Sequence, residues 1–106
     1  MKLEKTFKTD DYIFLLLEYI NGIDFFDVLR EIGLCKISTS RFYFGCFLLA
    51  IEELHSRNIV YRDLKPENAV VDTEGYLYMI DLGTAKELAE ENGYRTFTII
   101  GSQFFI

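Results

Sequence analysis

The chain has 106 residues, half of them hydrophobic and 16% aromatic, with a formal net charge of −6 at pH 7 and a pI of about 4.7. That is enough apolar material for one core, though a small one, and so acidic a balance argues against nucleic-acid or anionic-membrane binding, which needs basic surfaces. One proline and seven glycines leave no low-complexity linker or internal repeat.

Residues 12–19 contain the apolar run Ile13-Phe14-Leu15-Leu16-Leu17, which reads as a buried strand. Asn21-Gly22 interrupts it as a turn or hinge. Over residues 24–32 apolar and charged side chains recur with helical period, and Gly33 is placed to stop that helix. Ser38 or Thr39 is positioned to cap a long helix reaching about His55. Its stretch 42–51 is apolar on every face and too short to span a bilayer, so a buried central helix is expected. Ala69-Val70-Val71, the turn Asp72-Thr73-Glu74-Gly75 and residues 76–80 form a predicted β-hairpin. The hairpin puts Asn68 at one end and Asp81 at the other, so that both face one cleft.

Between the long helix and the hairpin lies Tyr61-Arg62-Asp63-Leu64-Lys65-Pro66-Glu67-Asn68, and Asp81-Leu82-Gly83 follows the hairpin. The protein kinase pattern is H-R-D-L-x-x-x-N and then D-F-G. The chain keeps the Arg, the Asp, the Leu and the Asn at that spacing, with Tyr for the His and Leu for the Phe. Phosphoryl transfer runs through a loose, highly charged transition state, so the protein mainly positions groups and neutralises charge. Asp63 suits acceptance or orientation of the attacking hydroxyl's proton. Asn68 and Asp81 supply the hard oxygen ligands that Mg²⁺ prefers, with nucleotide phosphates completing the shell. Lys65 is a point charge for the transferring phosphoryl group. A polar connection with solvated carboxylates is the plain alternative, and it leaves so many fixed positions in order unexplained.

Across its length the chain resembles the catalytic domain of cyclic-nucleotide-dependent protein kinases, in the AGC group of Ser/Thr kinases, with the cGMP-dependent branch ahead of the cAMP-dependent one. The likeness runs from Lys2-Leu3-Glu4 and Phe7-Lys8 through Leu17-Glu18-Tyr19-Ile20-Asn21-Gly22, Arg41-Phe42-Tyr43 and Leu54-His55-Ser56. It continues through the catalytic loop to Thr96-Phe97-Thr98-Ile99-Ile100-Gly101-Ser102. Tyr61 in place of histidine is typical of the group. The resemblance implies an α+β, partial protein kinase-like fold, with small-lobe strands and hinge over 1–20. Residues 21–106 would be a large-lobe portion with catalytic loop and activation segment. No G-x-G-x-x-G loop and no strand Lys ahead of a helix Glu occurs, and no A-P-E triplet follows, so a kinase fragment is expected.

Site residues follow from the same resemblance, which implies ATP and Mg²⁺ as cofactors. Leu17 falls at the gatekeeper position, and the backbone of Glu18 and Ile20 would hydrogen-bond the adenine. Asp24 would reach a ribose hydroxyl or a substrate arginine; a helix-start carboxylate favoured by the dipole is its alternative. Val70 would floor the adenine pocket unless it is simply core. Glu67 would contact a basic residue ahead of the phosphoacceptor, or else be a solvated loop carboxylate. Residues 81–102 read as an activation loop, in which Thr98 takes an activating phosphate matched by Arg62 and Lys86. Thr96 and Ser102 are the runner-up hydroxyls, Ser102 more suited to bonding Asp63 and Lys65.

Other residues have plainer readings. His55 is a helix-end residue, Phe25-Phe26 is core, Phe104-Phe105 is core or exposed, and Tyr61 packs under the catalytic loop. Cys35 and Cys46 lack metal or redox spacing and no signal peptide precedes them, so a cytoplasmic setting is expected. Two functions stand. One is a Ser/Thr protein kinase using Mg-ATP on basic protein substrates, with Lys65-Pro66-Glu67 favouring Ser/Thr over Tyr; no nucleic acid and no membrane insertion are implied. The other is a catalytically inactive kinase remnant or non-catalytic binding fragment. The glycine loop and strand Lys in the same reading frame upstream would favour the first.

Overall fold

The expected strand, helices and hairpin form with some boundaries shifted, but their burial is a different matter. The computed structural model describes residues 2–98, 100 and 101. Its elements are β1 (Leu3–Lys8), β2 (Ile13–Leu17), β3 (Gly22–Asp24), α1 (Phe25–Ile32), α2 (Ile37–Ser56), β4 (Ile59–Val60), β5 (Ala69–Asp72), β6 (Leu77–Met79) and β7 (Lys86–Glu87). Short 3-10 turns occupy Pro66–Asn68 and Glu90–Asn92. The result is the expected α+β mixture.

β1 and β2 form an antiparallel hairpin, running from Leu3 opposite Leu17 to Lys8 opposite Ile13, with an irregularity between Leu3 and Lys5. Thr9 closes it: its N–H donates to the Tyr12 carbonyl at 2.9 Å, and its hydroxyl accepts from the Tyr12 N–H at 3.1 Å. The expectation of a buried strand over 12–19 is corrected here. Every residue of β2 is exposed. A two-stranded ribbon offers two faces, and the described residues supply no layer to cover them.

A second sheet, ordered β3-β5-β6, carries the core. Gly22 is not the interrupting turn that its sequence suggests but the first residue of β3, opposite Asp72. Only glycine fits there, because a Cβ would lie 2.3 Å from the Val71 carbonyl oxygen. α1 starts directly from β3 with Asp24 at its N-cap, although the Asp24 side chain makes no capping hydrogen bond. It ends at Gly33, whose φ of 67° suits glycine and whose N–H donates to the Leu29 carbonyl at 3.0 Å.

α2 begins before either expected cap. Its N-cap is Lys36, so Ser38 and Thr39 lie inside the first turn, and no side chain caps the helix. His55 sits in the last turn, as expected. The helix presents Tyr43 and Phe47 to Phe25, with ring centroids 4.8 Å and 5.7 Å from the Phe25 ring. Phe25, Ala69 and Val71 are the buried centre of this cluster, and Val28, Leu29 and Leu77 pack around them. Phe26 points outward, so only the first residue of the Phe25-Phe26 pair is core.

The opposite face of α2, with Phe42, Phe44, Leu48 and Leu49, is exposed, and none of its twenty residues is fully buried. The expectation of a buried central helix is therefore also corrected: apolarity on every face states what the helix needs, not what covers it. The accessible surface is 8566 Å², against about 6,100 Å² for a compact chain of this mass. The radius of gyration is 15.8 Å, against about 13 Å for a closed domain of this length. No described helix is long and apolar enough to cross a membrane.

So large an open apolar surface should be sticky. The purified chain is expected to bind 8-anilinonaphthalene-1-sulfonate (ANS) at neutral pH and to self-associate with rising concentration in light scattering. A monodisperse monomer that leaves the dye dark would contradict the exposed face of α2.

Candidate active site

After α2 the chain runs through β4, which pairs with β7, and turns into the loop at 61–65. Pro66 stands at the start of the 3-10 turn, where its fixed φ suits helical entry and its missing N–H costs nothing. The turn delivers Asn68 to the foot of β5. There Asn68 is 8% exposed, a buried amide that must be hydrogen-bonded. Its Nδ2 donates to the Asp63 carbonyl at 2.9 Å and to Asp63 Oδ2 at 2.8 Å. Lys65 Nζ reaches the same Oδ2 at 2.8 Å. Asp63, Lys65 and Asn68 thus meet at one carboxylate oxygen, that of Asp63.

The hairpin brings in the fourth. β5 and β6 pair from Ala69 opposite Met79 to Val71 opposite Leu77. The Ile80 N–H then donates to the Asn68 carbonyl at 2.9 Å. Asn68 and Asp81 therefore flank the same, open end of the hairpin. Asp81 Oδ1 accepts the Gly83 N–H at 2.9 Å, and a Cβ on Gly83 would stand 2.9 Å from that oxygen.

Two residues here hold a left-handed backbone without being glycine: Arg62 with φ 70° and Asp81 with φ 58°. Each such residue costs about 1–3 kcal/mol, which its surroundings must offset. Arg62 is fixed by its guanidinium, whose Nε donates to the Thr84 carbonyl at 2.7 Å and whose terminal nitrogen lies 3.4 Å from Thr96 Oγ1. The Thr84 hydroxyl donates to the Tyr61 carbonyl at 3.1 Å. The Tyr61 phenol donates to the Ile80 carbonyl, immediately before Asp81.

Tyr61 is 2% exposed and lies under the loop, as the sequence suggests. Burial pushes its phenol up to about 12, helped by the charges of Asp81 and Asp63 and partly opposed by a hydrogen bond from Asn68. A phenolate there would be desolvated and face two carboxylates, so the neutral form is held.

The remaining expected residues are distributed along the cleft. Leu17 ends β2 and, with Leu3 and Leu15, lines a cavity of about 390 Å³ shared with Asp81, Leu82 and Gly83. The Glu18 N–H donates to the Lys2 carbonyl at 2.8 Å, so an adenine contact by Glu18 would use its carbonyl. Glu18 and Ile20 line a separate, more polar cavity of about 310 Å³ with Asp72 and Tyr78. Val70 stands opposite both Asp24 and Tyr78 across the sheet. Glu67 is exposed on the 3-10 turn, and Lys86 is exposed in β7 opposite Val60. Thr98 is exposed, and the hydroxyl that Arg62 meets is that of Thr96. Ser102 and the Phe104-Phe105 pair lie outside the described residues. Thr84 went unnoticed in the sequence because its role is a hydroxyl-to-carbonyl contact that no motif spacing announces.

The donor set suits a hard cation. Asn68 turns its Nδ2 to Asp63, so the oxygen end of its amide could serve a metal, and Asp81 could add a carboxylate. Among the described residues no group of three His, Cys, Asp or Glu side chains could hold a metal. Phosphate oxygens or water would therefore have to supply the rest of the shell, as Mg²⁺ readily permits.

Residues 1–106 match the protein kinase domain family. The chain is 42% identical over 106 residues to a cGMP-dependent protein kinase of Plasmodium berghei, covering 100% of the chain and 12% of the relative. It is 39% identical to a cGMP-dependent protein kinase of Toxoplasma gondii, covering 100% of the chain and 10% of that relative. With cGMP-dependent protein kinase 2 of Homo sapiens it shares 40% identity over 100% of the chain and 14% of the relative. The chain thus spans a small part of the length of each.

The Tyr61 phenol makes a pH-dependent prediction. An unfolded tyrosine titrates near 10, and the folded value is raised to about 12. The native state therefore holds an extra proton between the two, so this stabilisation is fully present below about pH 10 and is lost as pH rises through about 12. Denaturant unfolding of the chain should lose stability across that window, and Tyr61→Phe should lose less of it. At neutral pH the same variant should cost about 1 kcal/mol through the lost bond to Ile80. Identical alkaline slopes for parent and variant would contradict this environment for Tyr61.

Proposed function

As the chain belongs to the protein kinase domain family, we propose that it carries the catalytic loop and metal corner of a Ser/Thr protein kinase, transferring the γ-phosphoryl group of ATP to hydroxyls of basic protein substrates. The observation that carries this reading is the convergence of Lys65 Nζ and Asn68 Nδ2 on Asp63 Oδ2, each at 2.8 Å. A carboxylate held this firmly can orient the attacking hydroxyl and take its proton, while Lys65 meets the negative charge of the transferring group. Asn68 and Asp81 would hold Mg²⁺, which when bound neutralises charge on the nucleotide phosphates.

On this reading residues 1–20 are small-lobe strands and hinge, and 21–106 belong to the large lobe. Leu17, the backbone of Glu18 and Ile20, Val70 and Asp24 would line the nucleotide site. The cavity shared by Leu17 and Asp81 supports that arrangement, since it joins hinge-side strand and metal corner. Glu67, exposed beside the loop, would meet a basic residue of the substrate, and the net charge of −6 favours such partners. Thr98 would take an activating phosphate and draw on Arg62 and Lys86. The relatives' cGMP dependence is the regulation we propose for the whole enzyme. The free thiols of Cys35 and Cys46 accord with a cytoplasmic setting.

A non-catalytic binding role is the second reading. It is favoured by the open apolar face of α2. One experiment separates the two. The 106 residues would replace the aligned stretch of the Plasmodium berghei relative, and transfer from γ-labelled ATP to a basic Ser/Thr peptide would be measured. The chimera should phosphorylate the peptide, Asp63→Asn should lower kcat by about 10²-fold or more, and the 106-residue chain alone should show no transfer. A folded chimera without activity, or one indifferent to Asp63→Asn, would leave the binding role in possession.

A further inference from the structure

Asp81 is held from both sides by one residue. The Tyr61 phenol donates to the carbonyl of Ile80, just before Asp81, and the Tyr61 carbonyl accepts the hydroxyl of Thr84, three positions after it. Thr84 is in turn anchored, because its carbonyl accepts Arg62 Nε at 2.7 Å. Between these points Asp81 adopts φ 58°, a left-handed conformation that an aspartate keeps only where its surroundings impose it. Tyr61 cannot drift, being 2% exposed, so both of its hydrogen bonds act from a fixed base. Thr84 itself is half-buried, which shields the bond to the Tyr61 carbonyl from competition by water.

We propose that Thr84 is a positioning residue, its hydroxyl acting with the Tyr61 phenol as a two-point clasp that keeps the strained Asp81 backbone, and so its carboxylate, in register with Asn68. The clasp stands on geometry; its consequence for a metal rests on the reading of Asp81 as a metal ligand. Valine has the shape of threonine without the donor. Thr84→Val would leave the Tyr61 carbonyl unsatisfied and free the segment after Asp81, whereas Thr84→Ser keeps the hydroxyl and sheds only a methyl group.

The test uses the 106-residue chain, with amide hydrogen exchange followed by mass spectrometry and Mn²⁺·ATP binding followed by electron paramagnetic resonance. Thr84→Val should speed exchange over residues 82–85 about five-fold, the scale of one hydrogen bond, while β5 and β6 keep their protection. It should weaken Mn²⁺·ATP binding by a similar factor, and Thr84→Ser should restore both. Thr84→Ala serves in the same way if the valine variant does not fold. Unchanged exchange and unchanged Mn²⁺·ATP binding in Thr84→Val would overturn the clasp, as would faster exchange spread evenly through β5 and β6. If both readouts move as expected while the kinase chimera transfers no phosphate, the clasp stands and the kinase reading falls. If the chimera is active and neither readout moves, the clasp alone falls.

Discussion

The amide of Asn68 is the joint on which the site hangs. Its side chain binds both the backbone and the carboxylate of Asp63, and its own carbonyl receives the Ile80 N–H. One buried residue therefore ties the loop that offers a carboxylate to the hairpin that ends in Asp81. A hydrogen bond to a charged group contributes about 1.5–3 kcal/mol, roughly twice a neutral one, and a buried amide without partners would cost comparably. Leucine or alanine at this position could supply the packing but not the connection. The ion pair between Lys65 and Asp63 has a side-chain exposure of 21% and 10%, so it is screened far less than the surface pairs Arg30–Asp27 and Arg57–Glu53.

Around that joint the backbone is bent in ways that regular structure would not tolerate. Arg62 and Asp81 occupy left-handed conformations next to the residues that would do chemistry, and each is bridled by contacts to Thr84 or Tyr61. The small core of Phe25, Ala69 and Val71 reaches Asn68 through the adjoining Ala69, so the packed elements α1, α2 and β5 support the Asn68 side of the site. Sites built on such supported strain hold their groups in place without reorganisation when charge develops. The β1–β2 ribbon has no comparable support and meets the site through the cavity it shares with Asp81 and Leu82.

Much of this was legible in the sequence, for reasons that differ from element to element. The hairpin could be read because Asp72-Thr73-Glu74-Gly75 demands a turn, and α1 because Gly33 stops it. Asp63, Lys65, Asn68 and Asp81 stood out because the protein kinase pattern has those groups in that order, and the structure brings Lys65 and Asn68 to one oxygen of Asp63. Burial was not legible. Leu15 and Leu16 are 60% and 52% exposed although their run reads as core, because hydrophobicity records a need for cover and cannot say where the cover lies. The start of α2 at Ile37, with Lys36 as its N-cap, was missed because Ser38 and Thr39 have capping chemistry but not the backbone position. Thr84 was missed because its hydroxyl acts on a carbonyl far away in sequence.

Asn68 and Asp63 work as one unit. A double-mutant cycle with Asp63→Ala, Asn68→Ala and the pair, each unfolded in urea at high dilution, measures that directly. A coupling of about 1.5–3 kcal/mol is expected, with the double variant losing clearly less than the two single losses added together. Strict additivity would contradict it, and would mean that the two side chains stand near each other without holding each other.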